Sequence, residues 1–278
     1  MKQRLLVPYL MGQRRDGLRR VAELDGRDWE VVERVEFSDT CLTDANEKMR
    51  RMGKIPARLS DKVREVAGAG RVPMSIAGDC MSTVGMLAGL QKAGREPERI
   101  LWLDAHGDFH TWGTTQTQYL GGMPLAVLVG RRDRRTRERD AIGAFCAEVG
   151  VRAYPERQVL LSDARDLDPG EAEAIRASGI VICPIDDILA RLAPRERLYL
   201  HWDTDVVSAR MEMPALKYHV QKGPDWSDMR SLFRALGGMN IVAVSVSAWH
   251  EEADADNRTA LACLSLLDEL DWAAGGAP

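Results

Sequence analysis

Short apolar runs recur along the chain, each closing on turn-forming or acidic residues, with helical patterns between them. Eight of them read as strands: 4–10, 29–37, 72–78, 99–105, 158–164, 179–185, 197–205 and 240–248. Segments such as TVGMLAGLQKAG and PGEAEAIRASG carry the intervening helical periodicity. Strands that alternate with helices are joined by crossovers, and crossovers run the strands parallel. The pattern predicts an α/β chain around a mostly parallel sheet. At 278 residues and 45% hydrophobic, it can bury a substantial core. No internal repeat, low-complexity tract or Pro/Ser-rich linker divides it, so residues 1–278 read as one α/β domain.

Charge and cysteine usage narrow the function classes. A formal net charge of -4 argues against a nucleic-acid footprint, which needs a concentrated excess of Lys and Arg. The basic stretch GRRDRRTRERD (130–140) is interleaved with acids and reads as a solvated helix start or loop. Five cysteines lie far apart without CxxC pairs, and the opening MKQRLLVPYL lacks a signal-peptide pattern. Both point to a reducing cytoplasm. No window approaches the roughly 18 to 20 apolar residues of a membrane span.

In open parallel sheets the carboxyl ends of the strands form the ligand crevice. Three predicted strand ends carry concentrated chemistry. The 72–78 run leads into AGDCMS, with Asp79 and Cys80. The 99–105 run leads into DAHGDFH, which delivers Asp104, His106, Asp108 and His110 at every second position. The 197–205 run carries HWDTD, where strand alternation puts His201, Asp203 and Asp205 on one face. Taken singly, an Asp at a strand end is a cap or turn residue, and a Cys is a small buried hydrophobe. Gathered in a crevice, these carboxylates repel and lose hydration, costing several kcal/mol unless a cation compensates. A pair of divalent metal ions is the compensation this pattern suggests.

At these residues the chain resembles the ureohydrolase family of arginases, agmatinases and formiminoglutamases. Its GGDHS-like, DAHxD and SxDxD signatures correspond in order to AGDCMS, DAHGD and HWDTD. ARDLDPGEAEAIRASGI (164–180) is similar to the segment after the family's fifth strand. The resemblance implies a three-layer α/β/α sandwich with an eight-stranded, mostly parallel sheet and a dimanganese centre. It implies that Asp104 and Asp203 bridge the ions, with Cys80 and Asp108 completing one coordination set and His106 and Asp205 the other. His106 and Asp108 are thereby catalytic as well as metal-ligating. Such a pair lowers the pKa of water held between the ions, and the hydroxide attacks a planar carbon. The implied reaction is hydrolysis of a linear carbon–nitrogen bond in a small amidino, hydroxyguanidino or amide substrate. Family analogy also implies a trimer or hexamer.

Several departures qualify this expectation. Cys80 stands where most members carry their first histidine ligand, and a thiolate is the softer donor. Cysteine also occurs there in the N-hydroxy-arginine hydrolases of antibiotic biosynthesis, whose active-site loop resembles HGDFHTWGTTQTQYLGGM. Gly121 replaces a histidine thought to shuttle protons. Ala248 replaces the glutamate that anchors a guanidinium, a charge-assisted hydrogen bond of about 1.5 to 3 kcal/mol. Glu251 or Glu252 in the following loop is its candidate substitute, and His250 is a candidate new polar contact to the substrate. His110, where the family usually carries asparagine, reads either as a substrate contact or as structural, and Thr117 and Asp168 fall where arginases hold the substrate's carboxylate and α-amino group. The alternative is a degenerate metal-binding homologue with a regulatory or assembly role. Loss of the residues expected at 121 and 248 favours it, while the retained carboxylates favour the hydrolase.

Overall fold

The structure is a computed structural model that describes residues 1–33, 45–132, 136–208, 212–247 and 249–270. Its strands are β1 (Lys2–Val7), β2 (Tyr9–Leu10), β3 (Gln13–Arg14), β4 (Trp29–Val31), β5 (Val72–Ala77), β6 (Arg99–Leu103), β7 (Val159–Ser162), β8 (Val181–Cys183), β9 (Leu198–Asp203) and β10 (Ile241–Ser247). Eight of them form one sheet in the order β4-β1-β5-β10-β9-β6-β7-β8. Every pairing in that sheet is parallel. Each predicted run overlaps one of these eight strands.

The ends differ for local reasons. The first run stops at Val7 because Pro8 cannot donate a ladder hydrogen bond, and the chain folds into the antiparallel β2–β3 hairpin. The second keeps Trp29–Val31, and its residues 34–37 lie outside the described residues. The seventh closes at Asp203, so Asp205 sits in a following 3-10 turn, Thr204–Val206, rather than on the strand.

Helices cover both faces. They are α1 (Arg20–Asp25), α2 (Ala45–Gly68), α3 (Ser82–Lys92), α4 (Pro124–Leu128), α5 (Thr136–Val149), α6 (Pro169–Arg176), α7 (Ile188–Arg191), α8 (Trp226–Leu236) and α9 (Arg258–Glu269). On one face Leu59 and Val63 of α2, Leu87 of α3 and Phe145 of α5 pack in a core with Ile100, Trp102 and Tyr199. On the other, Met229 and Phe233 of α8 and Cys263 and Leu267 of α9 pack with Leu101, Leu200, Trp202 and Val246. The strand period of two sorts the sides: Leu200 and Trp202 face one core, Tyr199 the other. In α8 the buried Met229, Leu232, Phe233 and Leu236 follow the i, i+3, i+4, i+7 spacing of an apolar helix face. Gly85 and Gly89 let α3 lie directly on the α2 backbone, since a Cβ at either would strike Pro56 or Ser60 and Val63. The result is the three-layer α/β/α sandwich expected.

The last strands in sequence, β9 and β10, occupy the middle of the sheet between β5 and β6. Ser247 is in register with Ala77 on one side and Asp203 on the other, and Leu103 is in register with Trp202. The carboxyl ends of β5, β10, β9 and β6 are therefore level, and the polar residues that follow them converge.

Candidate metal centre

Cys80, Asp104, Asp108, Asp203 and Asp205 are all buried, each at most 7% exposed. Cys80 Sγ donates to Asp203 Oδ2 at 2.9 Å and accepts from Ser247 Oγ at 2.9 Å. Asp104 Oδ1 accepts from the His106 amide at 2.8 Å, and its Oδ2 from Trp102 Nε1 at 3.2 Å. His106 Nδ1 lies 3.3 Å from Asp104 Oδ1 and 3.4 Å from Asp205 Oδ2. Asp203 Oδ1 accepts from the Asp205 amide at 3.0 Å, which fixes the turn at the end of β9. Asp108 adopts a left-handed φ of 50°, a strained conformation for a non-glycine residue of the kind that clusters at functional sites. Asp108 Oδ2 and Asp205 Oδ1 have no hydrogen-bond partner among the described residues.

Burial and mutual repulsion set the protonation of this cluster. Burial lifts Asp104, Asp108 and Asp205 above the ordinary carboxylate range, and neighbouring carboxylates add to it. Asp203 is pushed up to about 7 by burial and then by Asp205. The Cys80 thiol is raised by burial and by the charges of Asp203, Asp108 and Asp104. Burial disfavours charge on His106 too, but hydrogen bonds to Asp104 and Asp205 outweigh it and push its pKa up to about 12. The cluster thus retains protons where a cation would replace them.

The donor set fits divalent metal. Cys80, Asp104 and His201 form one group, and Asp104, His106 and Asp205 a second, with the donor atoms of each within 4.8 Å of one another. Asp104 belongs to both. Buried carboxylates with unpartnered oxygens, an imidazole and a thiol offer the O, N and S ligands that first-row divalent ions take.

This protonation has a measurable consequence for metal-free protein. A free Asp titrates near 3.9, so between that value and about 7 folded Asp203 holds a proton the unfolded chain has released. Raised His106 works in the same sense above its unfolded value of about 6.5. Buried His201, whose pKa burial lowers to about 3, works in the opposite sense below about 6.5. The raised carboxylates outnumber it, so the folded state binds more protons and stability falls as pH rises. Between pH 5 and 8 the Tm of chelated protein is expected to drop, on the order of 5 °C at the usual sensitivity for a chain of this size. A flat or rising Tm would contradict the protonation pattern.

A cavity of about 260 Å³ opens above the cluster. His110, Thr117 and Asp168 line it. His110 Nε2 lies 3.2 Å from Asp168 Oδ2 and 3.7 Å from Glu171 Oε2, and its Nδ1 lies 3.2 Å from Thr114 Oγ1. Thr117 Oγ1 accepts from the Tyr119 amide at 3.3 Å. His250 is not brought in: it is absent from the cavity lining, and its half-exposed ring lies 3.7 Å from Glu252. The reason is its turn, Glu251–Ala253, which Arg15 holds through ion pairs to Glu251 at 2.7 Å and to Glu252. Glu251 and Glu252 are committed to that arginine and do not line the cavity either. Ala248 lies outside the described residues.

A family model described as the Arginase family matches residues 14–271. The chain belongs to the arginase family. Its relatives include the N(omega)-hydroxy-L-arginine amidinohydrolase of Streptomyces lavendulae, 33% identical over 191 residues, covering 66% of this chain and 63% of that protein. The arginase of Brevibacillus brevis is 29% identical over 186 residues, covering 66% of this chain and 56% of its own length. The match spans less than two thirds of either relative. Among solved structures, the arginase of Bacillus cereus superposes with a TM-score of 0.73 at 22% identity, over 97% of both chains. The Entamoeba histolytica arginase in complex with L-ornithine gives 0.77 at 16% identity, again over 97% of both. At such identities these structures speak for the fold. No described helix is long and apolar enough to cross a membrane.

This arginase-family cavity also contains residues that sequence reasoning did not single out. Glu171 is buried in the first turn of α6, where its Oε1 accepts from the Phe109 amide at 2.8 Å. Its signal is readable afterwards: it shares one helix face with buried Ala174 and Ile175 at i+3 and i+4. Lys217 reaches in from a loop and donates to the Gly78 carbonyl. Tyr218 meets His106 edge-on, with ring centroids 5.2 Å apart. Tyr119 packs against Gly121, and a Cβ at 121 would overlap its ring. Neither Lys217 nor the tyrosines stand in a spacing that marks them out.

Proposed function

We propose that this chain is a metal-dependent hydrolase that cleaves a linear carbon–nitrogen bond of a small hydroxyguanidino, amidino or amide substrate. The observation that carries this reading is the buried cluster of four carboxylates, a thiol and His106 at the base of a cavity sized for a small molecule. When bound, a divalent pair supplies charge neutralisation and an activated water nucleophile. In this reading Cys80, Asp104, His106, Asp108, Asp203 and Asp205 would hold the pair, with Asp104 common to both donor groups. Mn2+ suits the carboxylate-rich group of Asp104, His106 and Asp205.

The chain's own side chains then divide the work. Asp108 Oδ2, which has no partner among the described residues, is the acceptor for a proton leaving the nucleophile. His110, Asp168 and Glu171 bind the polar end of the substrate away from the metals, and Thr117 orients it at the rim. A hydroxyguanidine is favoured within the substrate class. Cys80 and the loop through Gly121 follow the hydroxy-arginine hydrolase pattern, and the Streptomyces lavendulae relative is named for that substrate.

Metal content and the release of ammonia, urea and hydroxyurea should be measured together on arginine, agmatine, N-hydroxy-arginine and simple amides. Hydroxyurea from N-hydroxy-arginine is the expected product. Metal-replete protein that turns over none of them would sink this reading in favour of a degenerate, regulatory or assembly homologue, which Gly121 already gives some ground for.

A further inference from the structure

His201 is a fully buried histidine one row beneath the carboxylates, and half of its hydrogen-bonding capacity goes unused. On β9 it is in register with Trp102 of β6 and Ser245 of β10, and Asp203 follows two residues later. Its Nδ1 lies 2.9 Å from Ser245 Oγ, itself 2.6 Å from the Tyr199 hydroxyl. Trp102 packs on the ring at 4.1 Å between centroids and sends its own Nε1 to Asp104. His201 Nε2 has no partner among the described residues. A buried polar nitrogen left unpaired is an uncompensated desolvation loss, and native cores contain few of them. Such a loss is accounted for when the nitrogen has a ligand that the protein atoms do not include.

The neighbours indicate which ligand. A ring nitrogen of His201, Cys80 Sγ and an Asp104 oxygen lie within 4.8 Å of one another, and all three residues are buried. Ser245 occupies Nδ1, so Nε2 is the nitrogen left to bind. Two departures from the ureohydrolase signatures meet here. The chain carries a thiol at 80 where the family has an imidazole, and an imidazole at 201 where SxDxD has a hydroxyl. An imidazole has been exchanged between the turn after β5 and the body of β9, two strands away across β10, rather than lost.

We propose that His201 Nε2 is a metal ligand and that Cys80, His201 and Asp104 form a sulfur–nitrogen–oxygen site selective for Zn2+ over Mn2+. The proposal rests on the binuclear reading above and changes the character of one of its two sites. Thiolate and imidazole together favour zinc and its late neighbours, whereas the Asp104, His106 and Asp205 group keeps the oxygen-rich character that suits manganese. On binding, the Cys80 thiol loses its proton to solvent. His201 carries its remaining proton on Nδ1 and donates it to Ser245 Oγ, the outer hydrogen bond typical of a metal-bound imidazole. The two ions of this centre are therefore of different kinds.

The test reads metal, not turnover. Zinc-edge X-ray absorption of wild-type protein carrying one equivalent of Zn2+ is expected to show sulfur and imidazole around the same ion. Sulfur without imidazole, or oxygen alone, overturns the assignment without recourse to a variant. In His201→Ser, checked for native circular dichroism, the imidazole signature should vanish. Its Zn2+ affinity should fall by more than the about 10- to 100-fold typical of an outer-shell partner. Ser245→Ala, which keeps the ring and removes its orienting bond, should stay within that range. Unchanged affinity or a persisting imidazole signature in His201→Ser overturns the proposal while leaving two-metal binding intact. Failure of wild-type protein to take up either Zn2+ or Mn2+ overturns the binuclear reading itself.

Discussion

Asp104→Asn is expected to abolish tight divalent-metal binding and to lower metal-dependent hydrolysis by about 10³-fold or more. Asp104 is the carboxylate common to both donor groups, so one substitution weakens both sites. Charge stabilisation by a metal pair amounts to several kcal/mol in the transition state, and each 1.36 kcal/mol is about a factor of ten in rate. The fold should survive. An amide oxygen at this position still accepts from the His106 amide, and the bond from Trp102 that is lost contributes only about 0.5 to 1.5 kcal/mol. Removing one buried negative charge also relieves the repulsion on Asp108 and Asp205, both of which feel Asp104. Metal-free Asp104→Asn protein should therefore melt within a few degrees of the parent. What disappears is the metal-induced rise in Tm, which for tight binding at 100 times Kd corresponds to about 2.7 kcal/mol. Calorimetry with and without Mn2+, paired with a turnover assay, reads both effects. An undiminished metal-induced shift would remove Asp104 from the centre.

The acidic cluster was legible because its members occupy strand ends at spacings of two, and the parallel sheet forces such ends together. Asp104, His106 and Asp108 follow β6, Asp203 ends β9, and register alone brings Cys80 beside Asp203. Strand positions were legible for a similar reason: short apolar runs bounded by turn residues have few other uses. Their limits were less so, since where β9 stops depends on the Asp203 carboxylate capturing the Asp205 amide. Residues delivered by helices and loops gave no comparable signal. Glu171 and Lys217 reach the cavity only through packing of α6 and of the loop after β9. From sequence, His250 in the loop after β10 is a candidate polar contact to the substrate. Its turn is instead held by Arg15, 236 positions from Glu251, a contact that no local pattern announces.

Fully metallated protein is expected to be a poor arginase and agmatinase, with kcat/KM for either substrate below about 10⁴ M⁻¹s⁻¹, the lower end of the usual enzyme range. Two positions carry the argument. Ala248 lacks the carboxylate that holds a guanidinium in the resembled family. The nearby acids do not replace it, because Glu251 and Glu252 are tied to Arg15. Gly121 lacks the histidine available for proton delivery to the leaving amine, and Tyr119 packs in the space beside it. The Tyr119 phenol is raised by burial and by surrounding acids, so it holds its proton too firmly to act as an efficient acid near neutral pH. Loss of positioning and loss of general acid catalysis each commonly lower a rate by about 10² to 10⁴. A strongly basic guanidinium needs both, because it must be held as a cation and its departing nitrogen must be protonated. A hydroxyguanidine is less basic and needs less of each, so N-hydroxy-arginine should be hydrolysed at least about 10²-fold more efficiently than arginine on the same preparation. The comparison requires confirmed metal occupancy, since empty sites would depress every substrate equally. Arginine or agmatine turnover that matches or exceeds that of N-hydroxy-arginine would show that neither departure governs specificity.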